Sequence, residues 1–249
     1  MIIKILTMMY NEEFLLPFFL SHYLYADEIH VLLDSDSNDN TRKILENSPN
    51  VTIEDFTFPD MMDDFLKADF INKTLKTIEA DWIFVIDADE FIFPDKHKNP
   101  RAFLEKVEDN VDVIMANMWQ VYRNVKDKDL NISKKPVILQ RRYGDPNRTE
   151  GINALYCKPI ILKTPITFDL SPGNHHILGD NYNVLGEYWA GAHWAMADPN
   201  FSVDRRVKGR KERQSQKNLD SGLTYHQHTI TKKQILDECK EHENDPKLF

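Results

Sequence analysis

Asp87, Asp89 and Glu90 place three carboxylates within four positions, directly behind the apolar run Trp82-Ile83-Phe84-Val85-Ile86. A short, continuous apolar run reads as a strand buried on both faces of a sheet. Ionised carboxylates cannot stay in such a core unpaired, so they belong where the strand ends and the chain emerges. In open α/β sheets that carboxyl edge is where ligands bind. Carboxylates there make an oxygen-rich site suited to Mg²⁺ or Mn²⁺, ions that commonly arrive with a phosphate. A strand followed by a plain acidic turn is the competing reading of this segment.

The elements that must position these groups follow from the pattern around them. Ile2 to Met8 reads as an apolar strand. Asn11-Glu12-Glu13 then precedes Phe14, Leu15, Phe18, Phe19 and Tyr23 at helical spacing, with Asn11 as the N-cap and the glutamates at the positive helix end. Glu28 to Leu33 is a second strand, and the polar stretch Asp34 to Thr41 caps a short helix near Arg42 to Glu46. Val51 to Phe56 is a third strand, Met61 to Ala80 a long amphipathic helix, and Trp82 to Ile86 the fourth strand. Strands alternating with helices imply βαβ units and a mostly parallel sheet. Right-handed crossovers place all the strand-end loops along one edge. The pattern therefore predicts that Tyr10-Asn11, Asp34 to Asp39 and Asp87 to Asp89 share one crevice, a stronger statement than any single motif supports.

The second half is less regular. Pro100 to Val107 reads as a short helix, and Val111 to Met118 and Pro136 to Gln140 as strands. Leu155 to Leu162 is a further strand, with Pro159 inside it arguing for an edge position or a bulge. Ser171 to Trp194 is rich in Gly, His, Asn and aromatics, as a loop-built site would be. Val203 to Lys217 is strongly basic, and Ile230 to Glu243 reads as a final helix. The sequence shows no internal repeat, low-complexity linker or clear break, so one domain over 1–249 is expected.

Bulk composition narrows the function classes. The 249 residues are 41% hydrophobic, enough for a sizeable core. Lys and Arg number 31 against 40 for Asp and Glu, and the net charge of −9 argues against a general nucleic-acid binder. Two cysteines, Cys157 and Cys239, make neither a disulfide framework nor a zinc cluster and read as ordinary thiols. No apolar run approaches the roughly 18 residues of a membrane span. Met1 to Thr7 reads as a strand rather than a signal peptide. The expectation is a cytoplasmic protein, touching a membrane at most peripherally.

Thr7-Met8-Met9-Tyr10-Asn11-Glu12-Glu13, with Leu16 to Tyr23, resembles the opening of family-two glycosyltransferases with the GT-A fold. Asp34-Ser35-Asp36-Ser37-Asn38-Asp39-Asn40-Thr41 resembles that family's Asp-x-Gly-Ser-x-Asp-Gly-Thr loop, with Asp36 and Asn40 in place of both glycines. Asp87-Ala88-Asp89-Glu90 looks like its Asp-x-Asp motif. Lys158-Pro159-Ile160, Asn174-His175-His176 and His193-Trp194 resemble its C-terminal half more faintly. The resemblance implies an α/β fold of GT-A type, a Rossmann-like, mostly parallel mixed sheet flanked by helices. Residues 1–120 would form the nucleotide-sugar half and 121–249 the acceptor half.

It further implies a nucleoside diphosphate sugar as donor, a UDP-sugar first, with Mn²⁺ or Mg²⁺ as cofactor. Tyr10 would stack on the base, Asn11 and Glu12 would bond base or ribose, and Asp34 would accept from a uracil-like N–H, with Asp39 ordering the loop. Helix capping and turn formation explain Asn11 and Asp39 equally well. Asp89 would bind the ion directly and Asp87 would reach ribose, the ion or its water, with His193 or His176 as a further ligand. Arg205 and Lys208 would close over the diphosphate, or lie on a solvated helix. The general base that deprotonates the acceptor hydroxyl is expected at Glu150, with Asp169 and Glu187 as competitors and Glu90 facing the acceptor. The acceptor would be a glycan or glycolipid. Rival readings are a metal-dependent nucleotidyltransferase, a glycosyltransferase acting on modified nucleic acid, and a non-catalytic nucleotide- or carbohydrate-binding module.

Overall fold

A computed structural model describes residues 1–94, 99–147, 156–222 and 229–249. Its strands are β1 (Ile3–Met9), β2 (Glu28–Asp34), β3 (Val51–Phe56), β4 (Trp82–Val85), β5 (Glu90–Phe93), β6 (Val113–Tyr122), β7 (Tyr156–Lys163), β8 (Asp169–Leu170), β9 (Ile177–Leu178) and β10 (Trp189–Met196). Between the early strands lie the helices α1 (Leu16–His22), α2 (Thr41–Glu46) and α3 (Asp64–Leu75), with α4 (Pro100–Leu104) following β5. Eight strands form one sheet in the order β3-β2-β1-β4-β7-β6-β10-β5, and β8 and β9 form a small hairpin. The expected α/β class, a mostly parallel mixed sheet flanked by helices, is what the chain adopts.

The chain divides into two compact units. The first comprises Met1–Thr57, Asp64–Met118 and Cys157–Gly191. Here β1, β2, β3 and β4 are mutually parallel, pairing Met8 with Leu32, Leu32 with Glu54 and Leu6 with Val85. Every residue of β4 is buried, as its unbroken apolar run requires. Trp189 closes one side of this core, edge-on to Phe84 at 5.6 Å and to Phe103 at 5.4 Å.

The second unit comprises Phe58–Asp63, Trp119–Tyr156 and Ala192–Phe249. Its core gathers Tyr122, Met196, Val203, Ile230, Ile235 and Cys239. The helix Lys232–Glu241 contributes the last two of these and starts with a capping box in which Thr231 and Gln234 bond each other's backbone N–H. Tyr122 donates to Glu238 Oε1 at 2.7 Å and stacks on His242 at 4.3 Å.

Several element expectations are corrected. The helix after β1 starts at Leu16 rather than behind Asn11, because Asn11 adopts a positive φ of 50° that a helix entry cannot use. The long helix spans Asp64–Leu75 and not Met61 to Ala80, since Met62 instead exchanges backbone bonds with Arg213 and Ser215. Pro136 to Gln140 is not a strand: Leu139 N–H closes onto Pro136 O at 3.2 Å, and Val137–Gln140 coils into a 3₁₀ turn. Pro159 lies in an interior strand, since β7 stands between β4 and β6, and it falls outside the stretch Ile161 to Lys163 that pairs with β4. Cys157 and Cys239 are free thiols.

Candidate functional site

Parallel pairing delivers the ends of β1, β2 and β4 to one edge of the first unit. Tyr10 and Asn11 leave β1, Asp34 ends β2, and Ile86, which donates its N–H to Leu6 O at 3.0 Å, carries β4 into the acidic turn. The first two loops are tied directly. Asn11 Nδ2 donates to Asn38 Oδ1 at 2.9 Å, and Asn11 Oδ1 accepts from Asn38 N–H at 2.8 Å. Glu12 N–H donates to Thr41 Oγ1 at 2.7 Å, and Glu13 Oε2 accepts from Asn40 N–H at 3.0 Å. The left-handed backbone of Asn11 is what turns its amide onto this loop, a conformation Asn tolerates better than most residues.

Asp34 is buried at the end of β2, with Oδ1 accepting from Asp36 N–H at 3.0 Å. Asp39 accepts from Thr41 N–H at 2.9 Å and from Glu13 N–H at 3.1 Å. Asp36, which stands where the family's loop has glycine, has an ordinary negative φ, so the replacement needs no unusual backbone. Tyr10 is half-buried beside these groups.

The third cluster sits on the same edge, and it is organised by two lysines, Lys67 and the Lys158 of the Lys158-Pro159-Ile160 segment, to which the sequence assigns no site role. Asp87 Oδ2 lies 2.9 Å from Lys158 Nζ of β7, and Asp87 Oδ1 lies 2.9 Å from Lys67 Nζ of α3. Lys158 Nζ also meets Glu90 Oε1 at 2.5 Å, while Glu90 Oε2 accepts from Asp87 N–H at 3.1 Å. Burial disfavours the charge on Asp87, but the ammonium groups of Lys158 and Lys67 outweigh it and hold the carboxyl well below the usual carboxylate range. Burial likewise works against Lys158, yet Asp87 and Glu90 prevail and raise its pKa. A signal for Lys158 was present: a lysine inside the apolar run of β7 must meet a carboxylate once the strand is buried.

Behind the turn, Tyr23 donates its hydroxyl to Glu90 O at 2.9 Å and accepts from Ile92 N–H at 3.0 Å. His22 Nε2–H donates to Ile92 O at 2.9 Å. Glu90 is therefore a buried anchor of the turn, and Asp89, 1% exposed, lies between the two tethered carboxylates in sequence.

Among the described residues no group of three or more His, Cys, Asp or Glu could enclose a metal ion. The donor chemistry still fits a hard divalent cation in part. Asp89 is a buried carboxylate of the same turn and would be the oxygen donor to such an ion, whereas both oxygens of Asp87 already face ammonium groups. A cation held there would draw the rest of its coordination from a phosphate ligand and water, as Mg²⁺ and Mn²⁺ sites commonly do.

The remaining expected residues have surroundings of their own. His176, in the first unit, is exposed and donates its backbone N–H to Ser171 Oγ at 3.0 Å. In the second unit His193 is half-buried on β10, edge-on to Tyr156 at 5.7 Å. Arg205 folds inward over the Phe201 ring at 5.8 Å, while exposed Lys208 pairs with Asp204 at 2.6 Å. Asp169 meets Lys76 at 2.6 Å, and Glu187 is exposed. Glu150 lies outside the described residues, as do His226 and His228.

Solved structures with similar folds include S. aureus TarS 1-349 in complex with UDP (14% identity, TM-score 0.42, covering 90% of this chain and 78% of that one). S. aureus TarS in a longer form matches at 14% identity and TM-score 0.40, covering 84% of this chain, which spans 39% of that one. Glucosyl-3-phosphoglycerate synthase from Mycobacterium tuberculosis, in complex with Mn²⁺, UDP and phosphoglyceric acid, matches at 15% identity and TM-score 0.33, covering 48% of this chain and 43% of that one. A comparison with curated protein sequences finds no match. Residues 5–161 match the sequence pattern of glycosyl transferase family 2, a span that takes in β1 through most of β7 and with them all three strand-end loops. By that match, which covers more than half of its length, the chain belongs to glycosyl transferase family 2.

Proposed function

We propose that the protein transfers a sugar from a nucleoside diphosphate donor, a UDP-sugar first, to a hydroxyl of a glycan or glycolipid acceptor, with inversion at the sugar carbon. The observation that carries this reading is the convergence of the Asn11-braced loop, buried Asp34 and the Asp87–Glu90 turn on one carboxyl edge of a parallel sheet. Family membership makes a sugar transfer the matching chemistry.

In this reading Tyr10 stacks on the base and Asp34 accepts from its N–H. Asn11 and Asp39 hold the loop that borders the nucleotide, and Glu12 tethers that loop through its backbone bond to Thr41. Asp87, oriented by Lys67 and Lys158, accepts from a ribose hydroxyl. Asp89 would hold Mn²⁺ or Mg²⁺, with His193 or His176 as the further ligand expected from the resemblance. When bound, that ion neutralises the diphosphate as charge develops on the leaving group. Arg205, turned onto Phe201, and Lys208, paired with Asp204, would have to leave those partners to serve the diphosphate or an anionic acceptor. Glu150 removes the acceptor proton, and buried Glu90 serves by fixing Lys158 and the turn. No helix among the described residues is long and apolar enough to cross a membrane, and contact with a glycolipid acceptor would be peripheral.

The test is a panel of nucleotide sugars incubated with protein and Mn²⁺. Slow release of nucleoside diphosphate without acceptor is expected for one donor, and Asp89→Asn abolishes it while its thermal melting stays within a few degrees of the parent. Release of pyrophosphate from nucleoside triphosphates instead would make the protein a nucleotidyltransferase.

A further inference from the structure

In the second unit the chain leaves β6 at Tyr122 and runs through a loop into the 3₁₀ turn Val137–Gln140. Two side chains brace that loop from within. Arg141, fully buried, donates Nε–H to Ala197 O at 2.6 Å and Nη1–H to Lys128 O at 3.1 Å. Gln140 accepts from Asn131 N–H at 2.8 Å and donates to Asn131 O at 2.9 Å and Lys134 O at 3.0 Å. At its start Asn124 Oδ1 accepts from Lys126 N–H, and Asp127 Oδ2 from Asn124 N–H, each at 3.0 Å.

What the braced loop turns outward is of two kinds. Val125, Ile132 and Leu139 are 60%, 39% and 45% exposed, although Val137 and Ile138, next to Leu139, are buried. Lys126, Lys128, Lys134 and Lys135 are exposed, and none has an ion-pair partner among the described residues. The carboxylates of the loop are engaged: Asp127 lies 3.8 Å from buried Arg141, and Asp129 pairs with Arg123 at 2.6 Å. A chain of net charge −9 thus carries a locally cationic face. A soluble polyanion would use its lysines and leave the aliphatic groups in water. The surface of an anionic bilayer uses both, since aliphatic ends enter the headgroup–acyl boundary while ammonium groups meet the headgroups.

We propose that the 124–140 loop is a membrane-docking face that seats its three aliphatic side chains in an anionic bilayer and its four lysines among the headgroups. The inference goes beyond the sugar transfer and does not depend on the donor site. Because the chain as a whole is acidic, the bilayer attracts this face and repels acidic ones, which orients the protein as well as holding it.

The experiment is co-sedimentation with vesicles of phosphatidylcholine alone and of equal parts phosphatidylcholine and phosphatidylglycerol. The parent should bind the mixed vesicles, more weakly as salt rises, and leave the neutral ones unbound. Lys134→Gln with Lys135→Gln should weaken that binding at least about tenfold, at roughly fivefold per lysine. Val125→Ser with Ile132→Ser, which changes no charge, should also weaken it about tenfold or more. Tryptophan emission of Ile132→Trp should shift to the blue on mixed vesicles. Failure of the parent to bind mixed vesicles, or unchanged binding by the lysine variant, overturns the proposal. Unchanged binding by the aliphatic variant, with no blue shift, overturns it too and leaves the loop a site for soluble polyanions, checked with inorganic polyphosphate. Both double variants should release nucleoside diphosphate from the donor as the parent does. A parent that binds mixed vesicles but no UDP would sink the donor site and leave the docking face standing.

Discussion

Lys158 occupies a position where the strand around it is apolar, and its ammonium is enclosed by Asp87 and Glu90. Removing one partner from a buried ion pair leaves an uncompensated charge, which costs about 3–5 kcal/mol. Lys158→Met is accordingly expected to lower unfolding free energy by that amount in urea titration, and adding Glu90→Gln should recover part of the loss. A decrease under about 1 kcal/mol would show that the cluster is solvated rather than enclosed. His22 gives a second residue-scale expectation. Burial lowers its pKa to about 4, from an ordinary value near 6.5, despite the Ile92 carbonyl that favours the protonated ring. Between these values the unfolded chain binds a proton that the folded chain refuses. Stability attributable to His22 is therefore present above about pH 6.5 and lost as pH falls toward 4, by up to about 1.4 kcal/mol per unit. Urea midpoints measured from pH 7 to 4.5 should fall, and His22→Gln should flatten that slope.

At the scale of elements, what was legible in the sequence follows from which physical signal each segment carried. β1, β2 and β4 are short apolar runs ending in polar residues, and that pattern alone placed Tyr10, Asp34 and Asp87 at strand ends. The start of α1 was misjudged because Asn satisfies a cap and a left-handed turn alike, and the tie to Asn38 that selects the turn is a contact between residues far apart in sequence. Pro136 to Gln140 is ambiguous for a related reason: the apolar run Val137 to Leu139 reads the same in a strand as in a 3₁₀ turn, and the Gln140 amide bonds to Asn131 O and Lys134 O that brace the turn are invisible locally. Lys67 carries no local signal, because a lysine on a surface helix ordinarily faces water. Gly144 offers a test of packing in the second unit. A Cβ there would stand 2.4 Å from Gln120 O, a backbone atom that cannot swing aside. Gly144→Ala should destabilise by about 1–3 kcal/mol in chemical denaturation, and an unchanged midpoint would mean that β6 and the Gly144 segment are more loosely joined than described.

For the molecule as a whole, acidic composition and site chemistry point the same way. A chain of net charge −9 is poorly suited to holding a polyanion over its general surface, so the anionic donor proposed above would have to be met by local cations. Lys67 and Lys158 at the Asp87 turn, together with the ion expected at Asp89, would form such a local field in the first unit. In the reading proposed above, base recognition falls to Asp34 at the end of β2 and diphosphate recognition to Asp89 in the turn after β4, two strands whose pairing with β1 brings their ends to one edge.

The most direct test of this account is a calorimetric titration of UDP, with and without Mn²⁺, into the parent protein, Asp34→Ala and Asp89→Asn. The account predicts UDP binding that strengthens with Mn²⁺ in the parent, loses its Mn²⁺ dependence in Asp89→Asn, and weakens at least tenfold in Asp34→Ala whether or not Mn²⁺ is present. Equal UDP affinity in all three proteins, or no Mn²⁺ dependence in the parent, would contradict it.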